Sequence, residues 1–217
     1  MEKTTYDNAS RKHTIIMVLG ITTLVLLMLV SIAGAAQSTN VWFHKGSELM
    51  SSEKYNEAIK AYDKAIEINP QDSDVWYKKG NILNKLGKYN GAIKAYEKAI
   101  ELNPQDSNAW NNKGVTLAKL GDSNEAVKAY DKAIETNPKN ADAWNNKGDA
   151  LGQLHQPDKA IKAYDQALEI NPLDSEAWYN KAVTLNRLNK SDEAIKAYDK
   201  VIYRTKSKST GFSAQWV

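Results

Sequence analysis

Side chains able to do covalent or metal chemistry are few in this sequence and scattered. His13, His44 and His155 are its only histidines, and they share no register that would assemble a catalytic triad or a metal site. Cysteine is absent, which excludes disulfides, thiol catalysis and Cys-ligated metals. No glycine-rich phosphate loop occurs, and the Asp and Ser coincidences are repeated copies of the same short segments. The sequence therefore reads as a non-enzyme with no catalytic residues, no metal site and no cofactor. What recurs in order is binding chemistry. Lys45, Lys79, Lys113, Lys147 and Lys181 form one ladder, and asparagines such as Asn111 and Asn145 recur at the same interval. A lysine stem can cover an aromatic ring while its ammonium reaches water, or the ladder could face an acidic partner. A carboxamide donates and accepts together, so a row of them can hold the backbone of an extended peptide.

The interval that positions these residues is set by tryptophan. Trp42, Trp76, Trp110, Trp144 and Trp178 stand 34 residues apart, and Pro70, Pro104, Pro138 and Pro172 keep the same spacing. Aligned on the tryptophans, five units span 39–72, 73–106, 107–140, 141–174 and 175–208. Within each, the Trp is followed at +4 by Gly46, Gly80, Gly114, Gly148 or Ala182 and at +7 by a Leu, which places all three on one helical stripe. A helix-interior Gly costs roughly 1 kcal/mol against Ala, so its recurrence at one register points to close packing. A second helix carries Ala58, Tyr62, Ala65, Ile66 and their equivalents, and Asn-Pro pairs stop it. Ser73, Ser107 and Ser175 fall where the next first helix needs an N-cap. The Trp and Tyr ladders read as core packing rather than as a stacking platform. Charges such as Lys60, Asp63, Lys64 and Glu67 read as a solvated face.

The unit from Ser73 to Asp106, SDVWYKKGNILNKLGKYNGAIKAYEKAIELNPQD, resembles the tetratricopeptide repeat (TPR), whose pattern sets Trp, Gly, Tyr, Ala and Pro at fixed places in 34 residues. The resemblance implies an all-α, right-handed superhelical solenoid of five helix-turn-helix units. It also implies that the first-helix face at −2, +1, +5 and +8 from each Trp lines a concave groove. In this chain that face includes Tyr77, Asn81 and Asn84; Asn108 and Asn111; Asn145 and Asp149; Tyr179 and Asn186. Phe43, Val115, Ala118 and Gly152 occupy the same register. A subclass of the family grips a carboxylate with Lys and Asn from this face; here the positions that would supply Lys hold Phe43, Tyr77, Asn111 and Asn145. Lys85, Lys119 and Arg187 lie at its edge and leave a weaker preference for acidic partners.

The N-terminus addresses location. Residues 15–36 carry the uncharged run IIMVLGITTLVLLMLVSIA behind Arg11 and Lys12, long enough to cross a membrane as a helix. Residues 1–14 then form a short basic cytoplasmic tail and the repeats lie outside the cytoplasm, on a single-pass anchor. Small residues Ala33 to Ala36 permit a second reading, a cleaved signal peptide that releases the repeats. The formal net charge is +3, too small a basic excess for nucleic acid.

The expected function is a membrane-anchored scaffold or assembly factor that binds another protein or an extended peptide in the groove. Two alternatives stand beside it: an accessory subunit of an exported complex, or a self-associating structural module. Self-association is suggested by the end of the array. The fifth unit has Asn189, Ser191 and Lys206 where the unit from Ser73 has Gly87, Tyr89 and Pro104, and the tail 209–217 carries apolar Phe212, Trp216 and Val217.

Overall fold

A computed structural model describes residues 37–210, and before them 24–26, 28–30 and 34; for 202–210 it describes the backbone. Residues 1–14, most of the apolar segment and the apolar tail residues Phe212, Trp216 and Val217 lie outside the described residues. The described chain is an all-α repeat solenoid without strands. Its helices are α1 (37–51), α2 (Tyr55–Ile68), α3 (Ser73–Lys85), α4 (Tyr89–Leu102), α5 (Ser107–Lys119), α6 (Ser123–Thr136), α7 (Ala141–Gln153), α8 (Pro157–Ile170), α9 (Ser175–Arg187) and α10 (Ser191–Thr210). Contacts divide the chain into two compact units, Met1–Val75 and Trp76–Val217.

In the first unit, α1 and α2 pair through Gly46 and the buried Tyr62. Described residues of the apolar segment, Leu24, Val25, Leu26, Met28, Leu29 and Val30, are helical and all largely exposed. Among the described residues no helix is long and apolar enough to cross a membrane.

In the second unit each helix packs on its neighbours in sequence, and first helices also touch one another, α5 on α7 and α7 on α9. The core is built of small residues and tyrosine: Ala92, Ala95, Tyr96 and Ala99 in α4 recur as Ala126, Ala129, Tyr130 and Ala133 in α6. The glycine at +4 has a specific reason. A Cβ on Gly80 or Gly114 would stand 2.6 Å from Cε1 of Tyr96 or Tyr130, the tyrosine of the same repeat. In the fifth repeat Ala182 takes that place and Tyr198 is only half-buried.

The two ladders read in the sequence are joined. The indole N–H of Trp110, Trp144 and Trp178 donates to the carbonyl of Pro104, Pro138 and Pro172, at 3.1, 3.1 and 3.0 Å. Each Pro thus ends one helix and anchors the next by its carbonyl. The Asn before it folds the loop: Asn103 and Asn137 accept from the backbone N–H two residues on, an Asx turn.

One expectation is corrected. Asp106 and Asp174 are the N-caps, one residue before the expected Ser107 and Ser175, and Asp72 likewise accepts from the N–H groups of Asp74 and Val75 ahead of Ser73. Asn140 caps α7, and Asp106 accepts from the N–H groups of Asn108 and Ala109 at 2.9 and 3.2 Å. An aspartate makes the stronger, charge-assisted bond to the helix N-terminus. Ser107 is thereby free to donate to the Ala133 carbonyl at 2.8 Å and to accept from Asn140 Nδ2 at 2.7 Å. At the other end, α10 has 20 residues where α4, α6 and α8 have 14. Lys206 stands where those helices meet Pro, so nothing removes a backbone donor and the helix continues.

Candidate functional site: the first-helix face

The face of α3, α5, α7 and α9 is tied together by an amide ladder. Asn112 Nδ2 donates to the Tyr77 hydroxyl at 3.1 Å and to Asn81 Oδ1 at 3.0 Å. One repeat on, Asn146 Nδ2 donates to Asn111 Oδ1 at 3.0 Å, and in the next Asn180 Nδ2 donates to Asn145 Oδ1 at 3.3 Å. In the second, third and fourth repeats the +1 residue therefore receives the +2 residue of the next. Asn111 and Asn145 are only 9 % and 5 % exposed. This narrows the expectation of an open amide row: their carbonyls already hold neighbouring repeats together. The donors Asn112, Asn146 and Asn180 were not singled out from the sequence, although their recurrence at 34 residues was a signal.

The other members of the row are placed as follows. Asn81 also accepts from the Tyr96 hydroxyl at 2.8 Å, and Asn84 accepts from Lys119 Nζ at 3.3 Å. Asn108 and Asn186 are exposed. Tyr179 is 52 % exposed, its ring 6.0 Å from that of Tyr198. Asp149 accepts from the Tyr164 hydroxyl at 2.7 Å. Burial pushes the Asp149 carboxyl above its usual range, the Tyr164 hydrogen bond opposes that shift, and Glu176 adds to it. Between α5, α6 and α7 the face dips into a recess of about 270 Å³ lined by Val115, Ala118, Tyr130, Asn146, Asp149 and Gln153 among others.

The lysine ladder lies elsewhere and is occupied. Lys113, Lys147 and Lys181 stand over Trp110, Trp144 and Trp178 at 5.7, 5.1 and 5.4 Å from the ring centres. The same ammonium groups pair with Glu97, Asp131 and Asp165 at 2.9, 2.6 and 2.6 Å. Covering the Trp while reaching a carboxylate of the preceding repeat satisfies both the stem and the charge. The acidic residues of the second helices, read as a solvated face, include these counterions. Only pairs such as Lys98 with Glu101 and Lys132 with Glu135 stay within one exposed helix face. A larger cleft of about 630 Å³, between α6, α7 and α8, has Val127, Trp144, Leu151 and Leu154 in its wall and Lys128 and Lys159 at its margin.

Among the described residues no three His, Asp or Glu side chains gather in a metal-binding group. His44 is exposed beside Phe43, their ring centroids 5.9 Å apart. His155 occupies the turn between α7 and α8 with φ 56°.

A repeat of paired helices with Gly–Tyr seating and a Trp–Pro clasp defines a class of helical interaction solenoids, and family models place the chain in it. Models described as TPR repeat and tetratricopeptide repeat match residues 46–84 and 80–121, 107–140, and 145–209, together well over half of the sequence. The chain belongs to the tetratricopeptide repeat family. No curated protein matches it significantly. Among solved structures it is similar to a MamA protein, with 24 % identity and a TM-score of 0.72 over 84 % of this chain and all of that one. MamA 41-end from Desulfovibrio magneticus RS-1 aligns at 20 % identity and TM-score 0.74, covering 80 % of this chain and 98 % of that one. YrrB, described as a TPR protein with an unusual peptide-binding site, aligns at 25 % identity and TM-score 0.62, covering 74 % of this chain and 83 % of that one.

Proposed function

We propose that this protein is a membrane-anchored interaction module that holds an extended segment of a partner protein against the first-helix face of its repeats, as a scaffold or assembly factor. The observation that carries the reading is the contrast between the two faces. The lysines beside the tryptophans are satisfied internally, whereas the first-helix face keeps exposed Asn108, Tyr179 and Asn186 and a recess lined by polar groups. Tyr179 offers apolar area with a polar tip, and the amides offer donors and acceptors without net charge. The similarity to YrrB, a TPR protein with a peptide-binding site, favours the same use. The account is tested by purifying the full chain with its partner from detergent-solubilised membranes, then repeating with Asn108→Ala plus Tyr179→Ala. Loss of the partner is expected; retention with loss in Lys113→Ala plus Lys147→Ala would move the interaction to the lysine ladder.

Residues 15–36 supply the anchor in this reading, with the repeats outside the cytoplasm. Support comes from described residues 24–26 and 28–30, helical with their apolar side chains exposed, as lipid contact favours. Cleavage of the same segment would instead release the repeats.

Self-association is a second reading, favoured by one observation. Val127 and Ile161 pack against the cluster of the following repeat, whereas their equivalent Ile195 on α10 is 58 % exposed. Sedimentation of the full chain in detergent over a range of concentrations separates a fixed species from a growing series.

A further inference from the structure

In three repeats the buried tyrosine of the second helix bonds to the residue at +5. Tyr62 pairs with Ser47 at 3.1 Å, Tyr96 donates to Asn81 at 2.8 Å and Tyr164 donates to Asp149 at 2.7 Å. In the third repeat that residue is Val115, which can do neither. Tyr130 is 2 % exposed, and its hydroxyl has no hydrogen-bond partner among the described residues. Such a buried group demands an explanation. The repeat geometry aims this hydroxyl at the +5 position, and Val115 and Tyr130 both line the 270 Å³ recess.

Asp149 lines the same recess. Its carboxylate accepts one hydrogen bond, from Tyr164, and no cation pairs with it among the described residues. Glu176 on α9 adds negative potential there. Lys119 also lines the recess, but its ammonium donates to Asn84 of the preceding repeat and lies over the Tyr89 ring at 5.9 Å. A partly buried carboxylate without a counterion and an unpartnered phenol therefore face one small cavity. An ammonium or guanidinium would satisfy both, since it donates several hydrogen bonds and carries the missing charge.

We infer that the recess between α5, α6 and α7 receives a lysine or arginine side chain of the bound segment, with Asp149 as its counterion and the Tyr130 hydroxyl as a second acceptor. The inference rests on the peptide-binding reading of this face and deepens it. It reverses the weak preference for acidic partners that Lys85, Lys119 and Arg187 suggested from the sequence.

The test uses the full chain in non-ionic detergent and three end-capped, fluorescently tagged peptides: pentalysine, penta-acetyl-lysine and pentaglutamate, followed by anisotropy at physiological salt. Pentalysine should bind at least about tenfold more tightly than the other two. Asp149→Asn should weaken it about tenfold and Tyr130→Phe about threefold. Asn occupies the same place in the second repeat and still accepts from its tyrosine, so Asp149→Asn should fold, which a thermal melt checks. Glu135→Gln, on the outer face, should change nothing. Equal losses in Asp149→Asn and Glu135→Gln, preference for pentaglutamate, or no binding by any peptide would overturn the inference. Acetylated peptide binding as tightly as pentalysine would overturn it while leaving the peptide-binding reading intact.

Discussion

The Tyr130 ring lies so close over Gly114 that a Cβ there would stand 2.6 Å from Cε1 and 2.8 Å from Cδ1. The glycine is thus the seat of a tyrosine from the second helix of its own repeat, which sets how near α5 and α6 approach. Gly114→Leu should destabilise by about 1–3 kcal/mol, because a packed ring must shift. Lys128→Leu, at an exposed site, should change stability by less than about 0.5 kcal/mol. Urea melts of the two variants check the difference.

The Trp–Pro clasp predicts a second hierarchy. Trp144→Phe keeps an aromatic ring but removes the bond from Nε1 to the Pro138 carbonyl, 3.1 Å in the native chain. A loss of about 1–2 kcal/mol is expected, from the hydrogen bond and the smaller buried area together. The partly exposed pair Lys147 with Asp131 should contribute less, about 0.2–1 kcal/mol in a double-mutant cycle, and should weaken with added salt.

Turn strain offers a stabilising change. Positions 53, 87, 121, 155 and 189 all have positive φ, filled by Gly87 and Gly121 in two turns and by Glu53, His155 and Asn189 in the others. A side chain is disfavoured at φ 56°, so His155→Gly should stabilise by about 0.5–1 kcal/mol, raising Tm by about 1–4 °C. A fall in Tm would show that the imidazole makes a compensating contact.

The Asp149 carboxyl predicts a pH effect of definite sign. Burial raises its folded pKa above the unfolded value, with Glu176 adding to the rise and the Tyr164 bond opposing it. Lys119, Tyr130 and Arg187 also flank this region from α5, α6 and α9. A folded pKa that is raised means that protonation favours the fold, so this group's contribution is lost as pH rises through that pKa. Asp149→Asn should therefore be at least as stable as the native chain at pH 7, and its advantage should shrink as pH falls toward 4. Thermal melts across pH 4–8 read this directly.

Repeat period, helix pairing and the close packing at Gly114 were legible because 34-residue spacing and helical stripes leave a direct mark on residue order. The amide ladder was half legible. Asn111 and Asn145 stood out, but helical-wheel reasoning treats each repeat alone, and their partners Asn146 and Asn180 sit one repeat further on. The same limit hid the pairing of Lys147 with Asp131. Caps were misplaced by one residue because Ser107 and Asp106 are both good N-caps, and only the backbone geometry chooses between them. The Tyr130 hydroxyl was invisible for a different reason: its significance comes from Val115 lacking a polar atom that the same register supplies in three other repeats.

Site-specific photo-crosslinking in intact membranes tests the central claim, that the first-helix face holds the partner, most directly. A photoreactive amino acid placed at exposed Asn108 or Tyr179 should crosslink one discrete partner. The same probe at exposed Lys132 or Glu135 on the outer face should not. Crosslinks from the outer face alone, or equally from both, would contradict the account.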